Sequence, residues 1–113
     1  MKIGDEGESF AASFLKKKRC EIVERNFRCR FGEIDIIARN KEYILFVEVK
    51  TRAKNAIVGA LESVDANKQR RIIAAANIYL KAHPSGLQPR FDVVAVEHEG
   101  AKYTVTDYIE NAF

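Results

Sequence analysis

The feature that most constrains this chain is the run Leu45–Lys50, with the sequence Leu-Phe-Val-Glu-Val-Lys. Its first three residues are apolar without alternation, which is typical of a β-strand buried on both faces. Glu48 and Lys50 follow two residues apart, so their side chains lie on the same face of that strand. Because an unpaired buried charge costs several kcal/mol, these two groups require each other, further partners or a metal ion.

The length of 113 residues predicts a single domain covering residues 1–113. Hydrophobic residues make up 47% of the chain and charged residues 31%, which indicates a globular rather than a disordered protein. The net charge of +3 permits a nucleic-acid partner without requiring one. The cations are grouped, and each group taken alone is typical of a solvated face. The four basic groups lie within residues 16–19, 25–30, 50–54 and 68–71.

The cysteines and the first residues of the chain indicate a reducing environment. Cys20 and Cys29 have neither CxxC spacing nor a His-rich neighbourhood, so we expect packing roles rather than a zinc site or a redox pair. Residues 1–8 contain no apolar stretch of signal-peptide length, and no run approaches the roughly 20 apolar residues of a membrane span. We therefore expect a cytoplasmic protein without a membrane partner. His83 and His98 are expected at the surface.

Hydrophobic periodicity predicts two helices and five strands. The first helix is predicted over about residues 3–18, with a cationic last turn that suits the helix dipole. The second is predicted from the N-cap Asp65 to about Ala82, shortly before Pro84. The order is therefore helix, three strands, helix, two strands. The strand patterns cover residues 20–30, 33–39, 43–51, 93–96 and 103–109.

The second and third strands are separated by a short polar connection, so they are expected to pair antiparallel. Counting outward from Lys41, Asp35 is six residues back and Glu48 seven forward, and a small register offset or bulge brings the two opposite each other. Alternation predicts that Asp35 shares its face with Glu33 and Ile37. The opposite face of the second strand would then carry Ile34, Ile36 and Ala38.

If Asp35 and Glu48 are held close together, their carboxylates repel each other. This repulsion would raise the pKa of one of the two unless a cation lay between them. Oxygen ligands of this number and charge suit Mg²⁺ or Mn²⁺. A metal ion so held can polarise a phosphoryl oxygen and activate water. Lys50, on the same face as Glu48, can position the nucleophile or stabilise the developing charge. This combination points to hydrolysis of phosphodiester bonds.

The start of the second helix carries an unusual charge distribution. Lys68, Arg70 and Arg71 crowd the positive end of the helix dipole, where an anion would be stabilising. A bound phosphate would resolve this conflict, and solvated side chains that tolerate a small cost explain it equally well. The preceding segment 53–63 lacks a clear period and contains Gly59, which predicts a loop that holds or moves over a site.

Two further acids have alternative interpretations. Glu8 lies beside the apolar stripe of the first helix, and on position alone it is best explained, with Asp5 and Glu6, as an acid that complements the helix dipole. Asp92 begins the apolar fourth strand. It is either a further site acid or a partner for Arg90 or a backbone donor.

Short motifs distributed along the whole chain carry a resemblance to known families. They are Gly7-Glu8, Arg25-Asn26-Phe27-Arg28, Gly32-Glu33-Ile34-Asp35, Phe46–Arg52, Lys68-Gln69-Arg70-Arg71, Arg90–Val94 and Ile109–Phe113. An acid followed after about a dozen residues by Glu-x-Lys resembles the PD-(D/E)xK nuclease superfamily, whose core order is α-β-β-β-α-β. Ile34 stands where the superfamily name has Pro. The complete set resembles the YraN-type family of small uncharacterised proteins, which is similar in layout to archaeal Holliday-junction resolvases.

This resemblance implies an α/β fold with a restriction-endonuclease-like core, the order α-β-β-β-α-β-β, and a mixed central sheet flanked by helices. It implies Asp35, Glu48 and Glu8 as catalytic ligands of Mg²⁺ or Mn²⁺, and Lys50 as the catalytic lysine. Glu33, on the same predicted face as Asp35, remains an alternative ligand. The expected nucleic-acid contacts are Arg52, Lys68, Gln69, Arg70 and Arg71.

The expected function is metal-dependent endonucleolytic cleavage of DNA, including branched or flapped DNA. By analogy with the junction resolvases, a homodimer is expected. The alternative is a nucleic-acid-binding module that keeps the nuclease fold without catalysis, in which the acids and Lys50 form only a buried ion network. A protein-interaction adaptor is a third interpretation, but it leaves the anion-seeking start of the second helix unexplained.

Overall fold

The computed structural model describes residues 3–55 and 64–113, with side chains from residue 5 onward. The elements follow the order predicted from the sequence. Most of the predicted loop at 53–63, including Gly59, lies outside the described residues. Neither described helix is both long enough and apolar enough to cross a membrane. The elements are α1 (Ile3–Lys17), β1 (Glu21–Cys29), β2 (Gly32–Arg39), β3 (Tyr43–Ala53), α2 (Ala66–Ala82), β4 (Gln88–Glu99) and β5 (Lys102–Ile109).

The strands form one mixed five-stranded sheet in the order β1-β2-β3-β4-β5. The predicted antiparallel pairing of β2 with β3 is confirmed, and β1–β2 and β4–β5 are also antiparallel. β3 and β4 are parallel because the connection through α2 returns the chain to the same end of the sheet. β4 is longer than the predicted 93–96, since its polar ends also pair with β3.

The two helices pack on opposite faces of the sheet and create two hydrophobic cores. The α1 core contains Ala11, Ala12 and Leu15 of α1 with Ile36, Ala38, Leu45, Val47, Val94 and Val96 of the sheet. The α2 core contains Ile72, Ala75, Ala76 and Tyr79 of α2 with Ile34, Ile37, Ile44, Phe46 and Val93. The central position of β3 explains its opening apolar run, because Leu45, Phe46 and Val47 are fully buried between the two cores.

Both cysteines have the packing roles expected from the sequence. Cys20 is buried in the α1 core, and Cys29 is half buried against the α2 core. His83 is exposed at the C-cap of α2, as predicted. His98 is half buried instead, because its ring stacks on Tyr103 at a centroid distance of 5.7 Å.

Gly7 allows the first part of α1 to approach the sheet closely. A Cβ atom at this position would lie 2.0 Å from Oγ1 of Thr51 and 3.0 Å from its Cβ, far inside van der Waals contact. Only glycine therefore fits between the helix and β3 at this height. The close approach also holds the backbone of Glu8, the next residue, near β3.

In the β1–β2 hairpin, the regular alternation of side chains between the two faces of the sheet is interrupted at Asn26 and Asp35. The register pairs Phe27 with Ile34, which leaves Asn26 opposite Asp35. Asn26 has a φ of 55°, a left-handed conformation that breaks strand alternation. Ile34 and Phe27 therefore pack against the α2 core, whereas Ile36 belongs to the α1 core. The predicted placement of Ile34 on the face of Ile36 is wrong for this reason.

Candidate functional site

Three elements bring charged side chains together near the end of β3. Glu48 is almost fully buried, with 3% of its side chain exposed, and its Oε2 atom lies 3.5 Å from the Lys50 ammonium. The same oxygen lies 3.1 Å from the Lys68 ammonium, which comes from the first turn of α2. Asp35 reaches the site from β2, alongside the end of β3. The structure thus brings Asp35, Glu48, Lys50 and Lys68 together.

The Asp35 carboxylate extends the pairing between β2 and β3. Regular pairing includes Ile36 with Val47, and beyond it the Val49 N–H donates a 2.8 Å hydrogen bond to Asp35 Oδ2. Burial raises the pKa of Asp35 to about 8, aided by a hydrogen bond to Glu48 and by repulsion from its charge. With its pKa raised to about 8, the Asp35 carboxyl keeps its proton near neutral pH.

The anion that pairs with Lys68 is Glu48, a residue of the same chain. Neither interpretation of the second helix, a bound phosphate or solvated side chains, predicted this pairing. No acidic residue lies in the first turn of α2, and the Asp65 side chain accepts the Lys68 backbone N–H at 2.8 Å as an N-cap. Burial lowers the pKa of the Lys68 ammonium, but attraction to Glu48 outweighs this, and the net shift is upward. Glu48 therefore compensates the cation at the positive end of the helix dipole.

Glu8 faces this site from α1 but has a different partner. Its Oε1 atom lies 3.7 Å from Nη2 of Arg25, and only 15% of its side chain is exposed. The same oxygen is buried and accepts no hydrogen bond within the described part of the chain. Burial raises the Glu8 pKa, and the nearby Arg25 charge only partly offsets this effect. The Glu8 charge also makes a small contribution to the raised pKa of Asp35.

The acids do not form a completed metal cage. Among residues 5–55 and 64–113, no three His, Cys, Asp or Glu side chains stand close enough together to hold a metal ion. Asp35 and Glu48 are in contact, whereas Glu8 is turned toward Arg25. A pair of buried carboxyl groups and an unpartnered third carboxylate oxygen nevertheless fit the oxygen ligands that Mg²⁺ and Mn²⁺ prefer.

The other predicted residues on α2 have distinct environments. Nε2 of Gln69 donates to the Val64 carbonyl at 3.0 Å, so its amide supports the start of the helix rather than facing outward. Arg70 and Arg71 are exposed. They remain the residues of this group whose side chains are accessible to a polyanion.

Arg52 and Glu33 lie at the margins of the site. Arg52 is half buried near the end of β3 and lines a cavity of about 260 Å³ between β3, β4 and β5. Glu33 is exposed and accepts a hydrogen bond from Nε of Arg28 at 3.0 Å. Asp35, not Glu33, is therefore the acid of β2 that contacts Glu48.

Asp92 belongs to a separate buried network. It is fully buried, and Nε and Nη2 of Arg90 each donate to it at 3.0 Å. The Tyr108 hydroxyl and the backbone N–H of Asn111, the latter at 3.0 Å, also donate to its oxygens. The interpretation of Asp92 as a partner for Arg90 and a backbone donor is confirmed.

Sequence reasoning gave no role to Arg25, the partner of Glu8. The sequence feature that could have indicated this role is the motif Arg25-Asn26-Phe27-Arg28. Its Asn26 has a left-handed backbone conformation, which changes the face of the sheet toward which the neighbouring side chains point. Residues on either side of Asn26 therefore face different cores, and Arg25 points to α1. Strand alternation alone does not reveal this.

Comparison with known proteins places the chain among close relatives. Residues 7–96 match the Uncharacterised protein family UPF0102. A UPF0102 protein of Nitrosomonas europaea is 40% identical over 97% of this chain and 92% of its own length. Those of Caldanaerobacter subterraneus (42%, over 98% and 93%) and Alcanivorax borkumensis (43%, over 97% and 90%) are similarly close. These matches confirm the resemblance to the YraN-type family.

Proposed function

The chain belongs to the Uncharacterised protein family UPF0102, and we propose that it is a Mg²⁺- or Mn²⁺-dependent endonuclease that cleaves DNA. The observation that carries the proposal is the contact between the Asp35 and Glu48 carboxyl groups, with the ammonium groups of Lys50 and Lys68 beside them. The proposal includes a restriction-endonuclease-like core, for which the order of elements and the mixed sheet are supporting observations.

Asp35 and Glu48 are the residues that would hold the metal ion, because their adjacent carboxyl groups offer the oxygen ligands that Mg²⁺ and Mn²⁺ prefer. Glu8 would complete the ligand set, since its buried Oε1 atom accepts no hydrogen bond from the residues that the structure describes and its ion pair with Arg25 is long. When bound, the ion supplies Lewis-acid polarisation of a phosphoryl oxygen.

Other side chains of the site would interact with the phosphate groups of the DNA. The Lys50 ammonium lies beside Glu48 on the partly exposed end of β3, where it can stabilise negative charge developing on the phosphoryl oxygens. The 2.8 Å bond from the Val49 N–H fixes the orientation of Asp35. The exposed Arg70 and Arg71 would contact the DNA backbone.

A non-catalytic DNA-binding module is the second candidate, and one observation favours it. The ammonium groups of Lys50 and Lys68 lie 3.5 and 3.1 Å from Oε2 of Glu48, so the charge of Glu48 is compensated without a metal ion. Such a closed ion network could hold α2 against β3 and leave the outer arginines to contact phosphates. The two candidates differ in metal binding and in turnover.

The decisive experiment is a cleavage panel of linear, nicked, flapped and four-way DNA, with RNA in parallel, each with Mg²⁺ or Mn²⁺. Glu48→Gln and Lys50→Met are expected to be inactive while their circular dichroism spectra stay native. Glu33→Gln is the matched control, because Glu33 is exposed and pairs with Arg28, and it should remain active. Protein that binds these substrates but cuts none of them would establish the binding module instead.

The metal site has an independent test in calorimetry. Titration with Mn²⁺ should show one binding event that Asp35→Asn removes. Absence of binding to the unsubstituted protein would refute the metal site. By analogy with the junction resolvases the proposal includes a homodimer, and sedimentation equilibrium measures its mass directly.

A further inference from the structure

A second polar cleft lies at the opposite end of β3 from Glu48. It forms where the end of α1, the β2–β3 turn and the start of β4 meet. Two adjoining hollows, of about 350 and 410 Å³, share Lys18, Arg19, Asn40 and Arg90 as lining residues. Tyr43 lines the second hollow, and along the strand it lies about 17 Å from Glu48, at about 3.3 Å per residue. The cleft is therefore distinct from the carboxylate site.

Hydrogen-bond donors exceed acceptors in this cleft. Lys17 and Lys41 extend the basic lining, against the acids Glu42 and Glu110. Oδ1 of Asn40 already accepts the backbone N–H groups of Glu42 and Tyr43, at 2.9 and 2.8 Å, which leaves the amide NH₂ as a donor. A cleft with these groups suits an anion with several oxygen atoms.

Arg90 is held rigidly at the back of the cleft. Its guanidinium forms a fork with the buried Asp92, through two hydrogen bonds of 3.0 Å, and lies over the Tyr43 ring at 4.6 Å. Glu110 is a weaker partner, with its Oε2 atom 3.7 Å from Nη2 of Arg90. The buried carboxylate thus fixes the guanidinium in the wall of the cleft and balances its charge, so Arg90 contributes N–H donors there rather than an uncompensated cation.

Among the residues that the structure describes, aromatic rings rather than an acid orient Lys18. Its ammonium lies 5.2 Å from the centre of the Phe14 ring and 5.9 Å from that of Tyr108. These contacts hold the charge at the edge of the cleft without neutralising it. Two of the shared cations are therefore positioned by the fold itself.

Arg19 adopts a backbone conformation that glycine would adopt more easily. It follows the last turn of α1 with a φ of 67°, and the next N–H, that of Cys20, bonds back to the Leu15 carbonyl at 3.1 Å. Glycine is the usual residue at this position after a helix. The other non-glycine residues with positive φ in the described ranges are asparagines, which tolerate it better: Asn26, Asn55 and Asn111.

The helix dipole explains only part of this arrangement. It favours cations in the last turn of α1, but it does not favour arginine over glycine in a left-handed conformation. Nor does it explain why the β2–β3 turn and β4 contribute Lys41 and Arg90 to the same cleft. A ligand that uses all of these cations accounts for both observations.

We propose that this cleft is a phosphate-binding site, separate from the carboxylate pair. It takes the phosphate group of a nucleotide or of a nucleic-acid strand. Binding here requires no divalent metal and no cleavage, so the inference does not depend on the proposed nuclease activity.

The test uses Arg19→Gly and Lys41→Met with three probes: inorganic phosphate, a deoxynucleoside monophosphate and a single-stranded DNA oligonucleotide. Each substitution should weaken binding of the preferred probe roughly tenfold, the loss expected for one charge-assisted hydrogen bond. Arg19→Gly should keep or raise the melting temperature, because glycine relieves the left-handed backbone. Lys81→Met is the matched control, since Lys81 is exposed near the end of α2, and it should bind like the unsubstituted protein.

Backbone amide shifts locate the bound probe. Shifts at Asn40 and Lys41 report the cleft, and shifts at Val49 and Lys50 report the carboxylate site, so failure of one inference is distinguishable from failure of the other. A nucleotide that binds as tightly as the oligonucleotide identifies a nucleotide site, and preference for the oligonucleotide identifies a strand site. The proposal is overturned if no probe shifts Asn40 and Lys41, or if Arg19→Gly and Lys41→Met leave affinity unchanged.

Discussion

The Lys68 ammonium lies 3.1 Å from Glu48 Oε2, and this contact joins α2 to the central strand inside the candidate site. Lys50 approaches the same oxygen to 3.5 Å, and the neighbouring Asp35 carboxyl has a raised pKa. Glu48 therefore has two counterions within the chain itself. A divalent cation that binds Glu48 has to compete with the ammonium of Lys68, because two cations on one carboxylate repel each other.

Lys68→Met should therefore increase the affinity of the site for Mn²⁺. Removing the competing charge is expected to tighten binding roughly fivefold to tenfold, equivalent to about 1 kcal/mol for a partly exposed ion pair. Isothermal calorimetry measures this directly. Lys81→Met supplies the control for removal of a cation elsewhere on α2, where affinity should not change. Equal or weaker binding in Lys68→Met would show that Lys68 does not compete with the metal.

The stability of the metal-free protein should fall as pH rises from about 4 to about 8. The folded-state pKa of Asp35 is raised from 3.8 to about 8, so over this window the folded state keeps a proton that the unfolded chain releases. Stability then decreases with pH by on the order of a few kcal/mol. Urea denaturation in the presence of a chelator, at a series of pH values, measures the profile. Asp35→Asn should flatten this profile. If the stability of the variant falls with pH as steeply as that of the unsubstituted protein, Asp35 is not the group responsible.

The fold was predictable where local patterns determine it. The apolar run at 45–47 predicts a strand buried on both faces, and the three-residue polar connection before Tyr43 predicts the hairpin with β2. The spacing of Asp35 and Glu48 along that hairpin anticipates their contact, because register follows from the length of the turn. Both predictions depend on residues that are close in sequence.

The partners of the charged groups were less predictable because they depend on tertiary packing. Lys68 meets Glu48 only after the chain crosses from β3 to α2, so spacing carries no information about the contact. The face of Ile34 depends on the left-handed conformation of Asn26 in the neighbouring strand. Arg25 reaches Glu8 for the same reason. Periodicity describes each strand or helix on its own, so it does not predict these contacts between different elements.

Gly7→Ala should destabilise the protein by about 1 to 3 kcal/mol through overpacking. The new methyl group would lie 2.0 Å from Thr51 Oγ1, so α1 must move away from β3 and take Glu8 with it. Thermal denaturation should show a melting temperature lower by several degrees. Thr51→Gly removes the clashing atoms, so the double variant should be more stable than the sum of the single changes predicts. Strict additivity would argue against the clash as the cause.

Asp92→Asn should destabilise the fold strongly and leave the metal site intact. Asp92 is fully buried and accepts both Arg90 donors, so removal of its charge leaves the guanidinium with the weaker partner Glu110, 3.7 Å away, at a cost of about 3 kcal/mol. Tyr108→Phe removes a single donor to the same carboxylate and should cost about 1 kcal/mol. Chemical denaturation measures both, with Asp107→Asn as the matched change at an exposed acid of β5. Folded Asp92→Asn should bind Mn²⁺ like the unsubstituted protein. Loss of metal binding without loss of stability would instead make Asp92 a ligand.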